Sequence, residues 1–193
     1  MMINVYHKKL DNVWYAAALE HDKVFATSFA LTESEALKCL LRELPNNLCF
    51  QITEDPNLLA EKLLATLNSI FMGKDTSWNF KLEMAHLPNY SRMVLGLLKK
   101  VPVGYVTTYG TLAKATKGGP RAVGRVMATN PFAPLIPCHR VVMSDFSLGG
   151  YSGGLDIKQR ILKREDRGYK EPRMINVDDS VLAIYPVGFL WKD

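Results

Sequence analysis

The chain has 193 residues, 48% hydrophobic and 22% charged, with a net charge of +5 and a pI of about 9.1, which suits one medium globular domain or two small ones. No apolar run approaches the ~20 residues of a membrane span, and Met1 to Asp11 lacks the apolar core of a signal peptide. Three cysteines, Cys39, Cys49 and Cys138, are too few and scattered for a disulfide framework or a zinc cluster, so free thiols in a reducing, cytoplasmic setting and no metal are expected.

In chain order, Ile3 to Tyr6, Val13 to Leu19 and Val24 to Ala30 predict a small meander of strands, with Asp11-Asn12 as its first turn. Thr32 followed by Glu35 has capping-box form, and Leu37, Leu40, Leu41 and Leu44 follow at helical spacing until Pro45-Asn46-Asn47. Cys49 to Thr53 reads as a further strand. Asp55-Pro56 opens a second helix, with Leu59, Leu63, Leu67 and Ile70 on one face and Gly73 at its end. Residues 1–85 are thus predicted to be a small α/β domain, an antiparallel sheet with helices, in which His7 and His21 read as surface or structural residues and Cys39 as a small core residue. A polar connector from Lys74 to Asn89 follows, anchored by Trp78 and Phe80.

Ser91 to Lys100 predicts a helix carrying Met93, Val94, Leu97 and Leu98, which Val101-Pro102-Val103-Gly104 breaks before a short strand or wing at Tyr105-Val106. Thr107 or Thr108 can cap the next helix, Tyr109 to Thr116, and Lys117-Gly118-Gly119 turns into another that starts at Pro120 and runs to Thr129. Two short helices about a glycine turn form a helix-turn-helix pattern, although many such hairpins bind no DNA. On the second helix Arg121 and Arg125 share a face. Ala122 and Gly124 are small, which fits either close helix packing or a DNA strand lying on a smooth helix.

The charge is unevenly spread. No acidic residue lies between Glu83 and Asp145, where eight basic residues do; the rest of the chain has sixteen basic against nineteen acidic residues. This is either a solvated basic face or the footprint of a polyanion. Cys138 falls inside this stretch, in the run P-C-H-R from Pro137 to Arg140. A thiol is a weak nucleophile until it is deprotonated, and His139 is the nearest candidate base.

Tyr109, the run R-A-V-G from Arg121, the run I-P-C-H-R-V from Ile136 and G-G-Y-S-G-G from Gly149 occur in that order. Together they resemble the active-site domain of the O6-alkylguanine-DNA alkyltransferases, over roughly Tyr90 to Gly168. The resemblance implies an α+β fold, the N-terminal domain followed by a mainly helical winged helix-turn-helix-like domain at 86–170; the extension at 171–193 goes beyond it. It implies irreversible transfer of an alkyl group from O6-alkylguanine, and from O4-alkylthymine, to Cys138, once per molecule and without a cofactor. His139 would be the base, acting through a water, and Glu165 would orient it. Asn130 would hold the active-site turn. Tyr109 would help rotate the base out and donate to a ring nitrogen. Arg121 would fill the hole in the stack, while Ala122, Gly124 and Arg125 lie along the minor groove. Tyr151, Ser152 and Gly153 would line the base pocket and Pro134 the alkyl pocket. The partner would be duplex DNA carrying alkylated guanine, bound by a monomer in the cytoplasm or a nucleus. A damage sensor of the same fold usually lacks the cysteine, and a winged-helix regulator would not require P-C-H-R. A Cys-His hydrolase would need an oxyanion hole, for which no motif is evident. In the tail, Val181 to Tyr185 and Val187 to Trp191 are apolar enough for strands or for docking on the body of the protein.

Overall fold

A computed structural model of the chain describes residues 2–45, 47–55, 57–177 and 180–191. Asn46 and Pro56, expected at the end of the first helix and the start of the second, lie outside the described residues. The fold is α+β and divides into two compact units: Met1–Phe71 with Asp75–Leu87 and Pro131–Leu135, and Met72–Lys74 with Pro88–Asn130 and Ile136–Asp193.

In the first unit, β1 (Met2–Leu10), β2 (Val13–Glu20) and β3 (Lys23–Ala30) form the expected antiparallel meander. Asp11 and Asn12 both take positive φ, 46° and 65°, as a tight two-residue hairpin turn demands. The edges of the sheet are parallel instead: β4 (Cys49–Ile52) pairs with β1 and β5 (Lys81–Leu82) with β3. Helix α1 (Glu33–Arg42) buries Ala36 and Leu40 with Ile3, Val5, Ala16 and Ala18. Its cap is the predicted one, Thr32 Oγ1 accepting from Glu35 N at 3.3 Å. Helix α2 (Leu58–Phe71) is capped by Asn57, whose Oδ1 accepts from Ala60 N at 2.9 Å. Tyr15 meets Phe29 and Phe71 in an aromatic cluster and donates from its hydroxyl to Asn68 Oδ1 at 3.0 Å. Buried side chains on both sides of β2 explain its run of alanines: neither face looks into water, so no polar alternation survives. In the connector, Phe80 is buried and half-buried Trp78 stacks on it at 5.9 Å.

The second unit contains α3 (Asn89–Leu98), β6 (Tyr105–Thr108), α4 (Tyr109–Ala115), α5 (Pro120–Ala128), β7 (Val141–Val142), α6 (Leu155–Glu165), β8 (Arg173–Val177) and β9 (Ser180–Pro186). Its sheet has the order β7-β6-β9-β8. Strand β6 is the pivot, pairing in parallel with β7 (Thr107 to Val141) and antiparallel with β9 (Val106 to Tyr185). It therefore joins the strand that follows the cysteine to the residue that precedes Tyr109. The tail completes this sheet. Val187–Trp191, expected as a strand or a docked segment, is a 3₁₀ turn. Pro186 lacks the amide that would continue the ladder, and the turn instead sends Val187 into the core with Val106, Val142 and Leu162. No helix among the described residues is long and apolar enough to cross a membrane.

Candidate active site

The second unit builds a cavity from short, well-capped elements. Thr108 Oγ1 accepts from Thr111 N at 3.0 Å and starts α4, so that Tyr109 is its first residue. Thr107 is not the cap; its hydroxyl donates to Ala183 O at 3.0 Å. Gly119 and Pro120 start α5, which buries Val123, Val126 and Met127 and leaves Arg121 and Arg125 exposed, with Ala122 and Gly124 half-buried. A Cβ at Gly124 would meet nothing within 4 Å. Helix-on-helix packing is therefore not what keeps this residue small.

After Asn130 the chain makes a short excursion, Pro131–Leu135, that belongs to the first unit, where Thr27 N donates to Pro131 O at 2.8 Å and Phe132 is fully buried. Asn130 Nδ2 donates to Ile136 O at 2.9 Å and ties the two ends of this excursion together. Cys138 follows at the head of a 3₁₀ turn, Cys138–Arg140. It lies on a cavity of about 470 Å³ whose other walls include Tyr109, Arg121, Gly124, Met143, Tyr151 and Ser152. Pro134 is buried and does not line this cavity. Gly149 has φ +66°, and a Cβ there would stand 3.1 Å from Met143 Cγ and 3.2 Å from Tyr109 Cε2. Only glycine lets the loop pass between them. Gly153 lies beside Tyr151, where a Cβ would come within 3.0 Å of Cε1.

The electrostatics around the thiol are opposed. Burial pushes the Cys138 thiol up; hydrogen bonds from Asn130 and Tyr151 and the charge of Lys158 pull the other way without cancelling it. Burial likewise raises the Tyr151 and Tyr109 phenols, so both stay neutral donors. Tyr109 directs its hydroxyl to Gly150 O at 3.5 Å. His139 is fully buried, and that burial lowers its pKa against the pull of Glu165, leaving a neutral imidazole. Its Nε2 donates to Glu165 Oε1 at 3.0 Å, while Nδ1 has no hydrogen-bond partner among the described residues. With the proton on Nε2, Nδ1 carries the lone pair and is the atom that can accept. Burial would raise the Glu165 carboxyl, but His139 and Arg140 outweigh it and hold it at about 2. Arg140 donates to Glu165 Oε2 at 2.9 Å and Oε1 at 2.7 Å, and to Val101 O at 2.6 Å.

Two of these residues escape a reading of the sequence. Arg140 sits in P-C-H-R without an evident partner until α6 supplies one. Lys158 is fully buried and donates to Val141 O at 2.6 Å and Gly150 O at 3.4 Å, and also to Leu148 O. The signal for it was present. Lys158, Ile161, Leu162 and Glu165 are the buried face of α6, spaced i, i+3, i+4, i+7, so two charged residues share an apolar stripe. Among the described residues, no group of three or more His, Cys, Asp or Glu side chains is placed to hold a metal.

Residues 61–167, more than half of the chain, match the family model described as 6-O-methylguanine DNA methyltransferase, DNA binding domain. The chain belongs to this methyltransferase family. Its similarity to the methylated-DNA–protein-cysteine methyltransferase of Pyrobaculum aerophilum is 45% identity over 109 residues, covering 54% of this chain and 73% of that protein. The O6-methylguanine-DNA methyltransferase of Pyrococcus kodakaraensis has a similar crystal structure, with a TM-score of 0.65 at 30% identity, covering 85% of this chain and 99% of that one. The Mycobacterium tuberculosis OGT in complex with DNA shares the fold, with a TM-score of 0.66 at 22% identity, covering 84% of this chain and 92% of that one. The methyltransferase family match ends at residue 167, so the strands β8 and β9 lie beyond it.

Proposed function

We propose that this protein repairs alkylated DNA by direct reversal, moving an alkyl group from O6 of an everted guanine onto Cys138. The observation that supports this most is the meeting, in one cavity, of a buried thiol, the arginine-bearing face of a helix-turn-helix and a glycine loop, with an unpartnered imidazole nitrogen on the residue beside the thiol. The thiol gives its proton to His139 Nδ1, directly or through one water, and Glu165 stabilises the imidazolium that results. The sulfur attacks the alkyl carbon in line. The S–C bond forms as the C–O bond breaks, and the electron pair goes to the guanine, where Tyr109 donates to a ring nitrogen. A thioether is not reopened by another thiol, so each molecule acts once, as a monomer and without a cofactor. Residues 86–170 carry the chemistry. Arg121 fills the space the base leaves, and Ala122, Gly124 and Arg125 give α5 the surface that lies in the minor groove. Tyr151, Ser152 and Gly153 hold the everted base. O4-alkylthymine, which presents the same electrophile on a smaller ring, is the second substrate.

Incubation with a duplex containing one O6-methylguanine, followed by digestion and mass analysis, is expected to find one added methyl per molecule, on the peptide that contains Cys138. Methyl on another residue, or none, would reject the proposal. Arg121→Ala is expected to slow transfer from the duplex by roughly 10- to 100-fold, because an everted base costs a few kcal/mol of stacking and pairing. Transfer from free O6-methylguanine should slow much less, and equal slowing on both substrates would remove Arg121 from the flipping step.

A further inference from the structure

A second cavity, of about 670 Å³, lies on the other side of the first turn of α4. The two cavities are separated by single residues. Tyr109 and Met143 line the first, while Thr108, Gly110 and Ser144, their chain neighbours, line the second. The far wall is the outer face of the hairpin formed by β8 and β9, which lies beyond the family match. There Met174 and Val181 are 64% and 52% exposed, close to Tyr185 and Phe146. The near wall is α4, whose exposed Lys114 and the following Lys117 stand at the rim. Ser180 Oγ donates to Ala115 O at 3.1 Å and fastens the hairpin to the end of α4.

We infer that this groove carries the deoxyribose-phosphate backbone of the DNA strand flanking the everted nucleotide, so that the C-terminal hairpin lengthens the DNA footprint. The inference rests on the repair reading above and adds a contact surface to it. A strand that delivers one nucleotide past Tyr109 must continue along the turn that Tyr109 begins, and the groove is continuous with that turn. Its chemistry fits the backbone: two cations for phosphates, the side chains of Thr111 and Ser144 in the same lining, and apolar side chains for the sugar edges. No acidic residue lines it among the described residues.

The test is the salt dependence of binding to a duplex carrying O6-methylguanine, measured on the full chain. In the double variant Lys114→Gln/Lys117→Gln, the slope of log K against log salt should become less steep by about 1.8, two phosphates' worth of counterions. Lys38→Gln, on an exposed position of α1, should leave it unchanged. Met174→Glu/Val181→Glu should weaken duplex binding several-fold and reduce transfer from the duplex more than transfer from free O6-methylguanine. A slope unmoved by the lysine pair, with Cys138 still methylated, would overturn the groove alone and favour an acidic, apolar peptide as its occupant. Unchanged duplex affinity in the hairpin variant would overturn it equally. A wild-type protein that never becomes methylated at Cys138 would instead overturn the repair reading itself.

Discussion

Glu165→Gln is expected to slow methyl transfer by roughly 100-fold or more and to remove roughly 3 kcal/mol of folding stability at neutral pH. Both effects come from one carboxylate with two partners. Toward His139 it accepts from Nε2 at 3.0 Å, which fixes the tautomer that leaves Nδ1 able to accept, and its charge stabilises the imidazolium formed when the thiol is deprotonated. Glutamine keeps an acceptor but not the charge, and an amide turned the other way would offer a donor instead. Toward Arg140 it is the only carboxylate among the described salt-bridge partners, and both groups are buried. A guanidinium left unpaired there has neither solvent nor counter-charge. The pH dependence follows from the carboxyl being held at about 2, below its ordinary 4.5. A depressed acid stabilises the fold fully above 4.5, and that contribution is lost as pH falls through about 2. Urea unfolding should therefore separate wild type and Glu165→Gln by the full amount at pH 7, and the gap should narrow between pH 4.5 and 2. An equal gap at pH 7 and pH 3 would mean that the loss comes from packing and not from charge.

How much of this was legible in the sequence divides along local and non-local lines. The meander, the Thr32 cap and the Pro120 start of α5 are all written in residues a few positions apart, and they appear as expected. The parallel edges β4 and β5 are not, because Ile3 pairs with Phe50 and Val24 with Leu82 across long intervals. The same reason hid the tail: β9 is a strand by composition, but only its pairing with β6 shows that it completes the active-site unit's sheet. At the site, the motif residues Tyr109, Arg121, Cys138 and Tyr151 converge on one cavity. Arg140 and Lys158 were passed over because a basic residue is by default a surface residue, although the stripe spacing on α6 carried the signal for Lys158. Only a carboxylate 25 positions away and a set of loop carbonyls make their burial tolerable. Pro134 shows the converse: a residue close in sequence to Cys138 that belongs to the first compact unit and not to the one that holds the thiol.

Lys158→Gln is expected to slow transfer by roughly 10- to 100-fold on duplex and free base alike, and Lys158→Met to do the same while also costing roughly 1–3 kcal/mol of stability. The lysine has two tasks that these variants separate. One is mechanical: its ammonium joins Leu148 and Gly150, in the glycine loop, to Val141, just after the nucleophile. Methionine leaves those carbonyls without a donor, whereas glutamine still offers one. The other is electrostatic: its positive charge opposes the burial that holds the Cys138 thiol protonated, and neither variant replaces it. Burial lowers Lys158 to about 8, with the cysteine working against that shift. Raising the pH through 8 therefore strips the charge that favours the thiolate while burial still pushes the thiol's own pKa up. Single-turnover rates from pH 6 to 10 should show the wild-type rise blunted above pH 8, while Lys158→Gln rises without that break. Since the lysine acts on the nucleophile and its loop, duplex and free-base rates should fall together, unlike those of Arg121→Ala. If Lys158→Gln lost only duplex transfer, the charge would belong to DNA docking and not to the thiol.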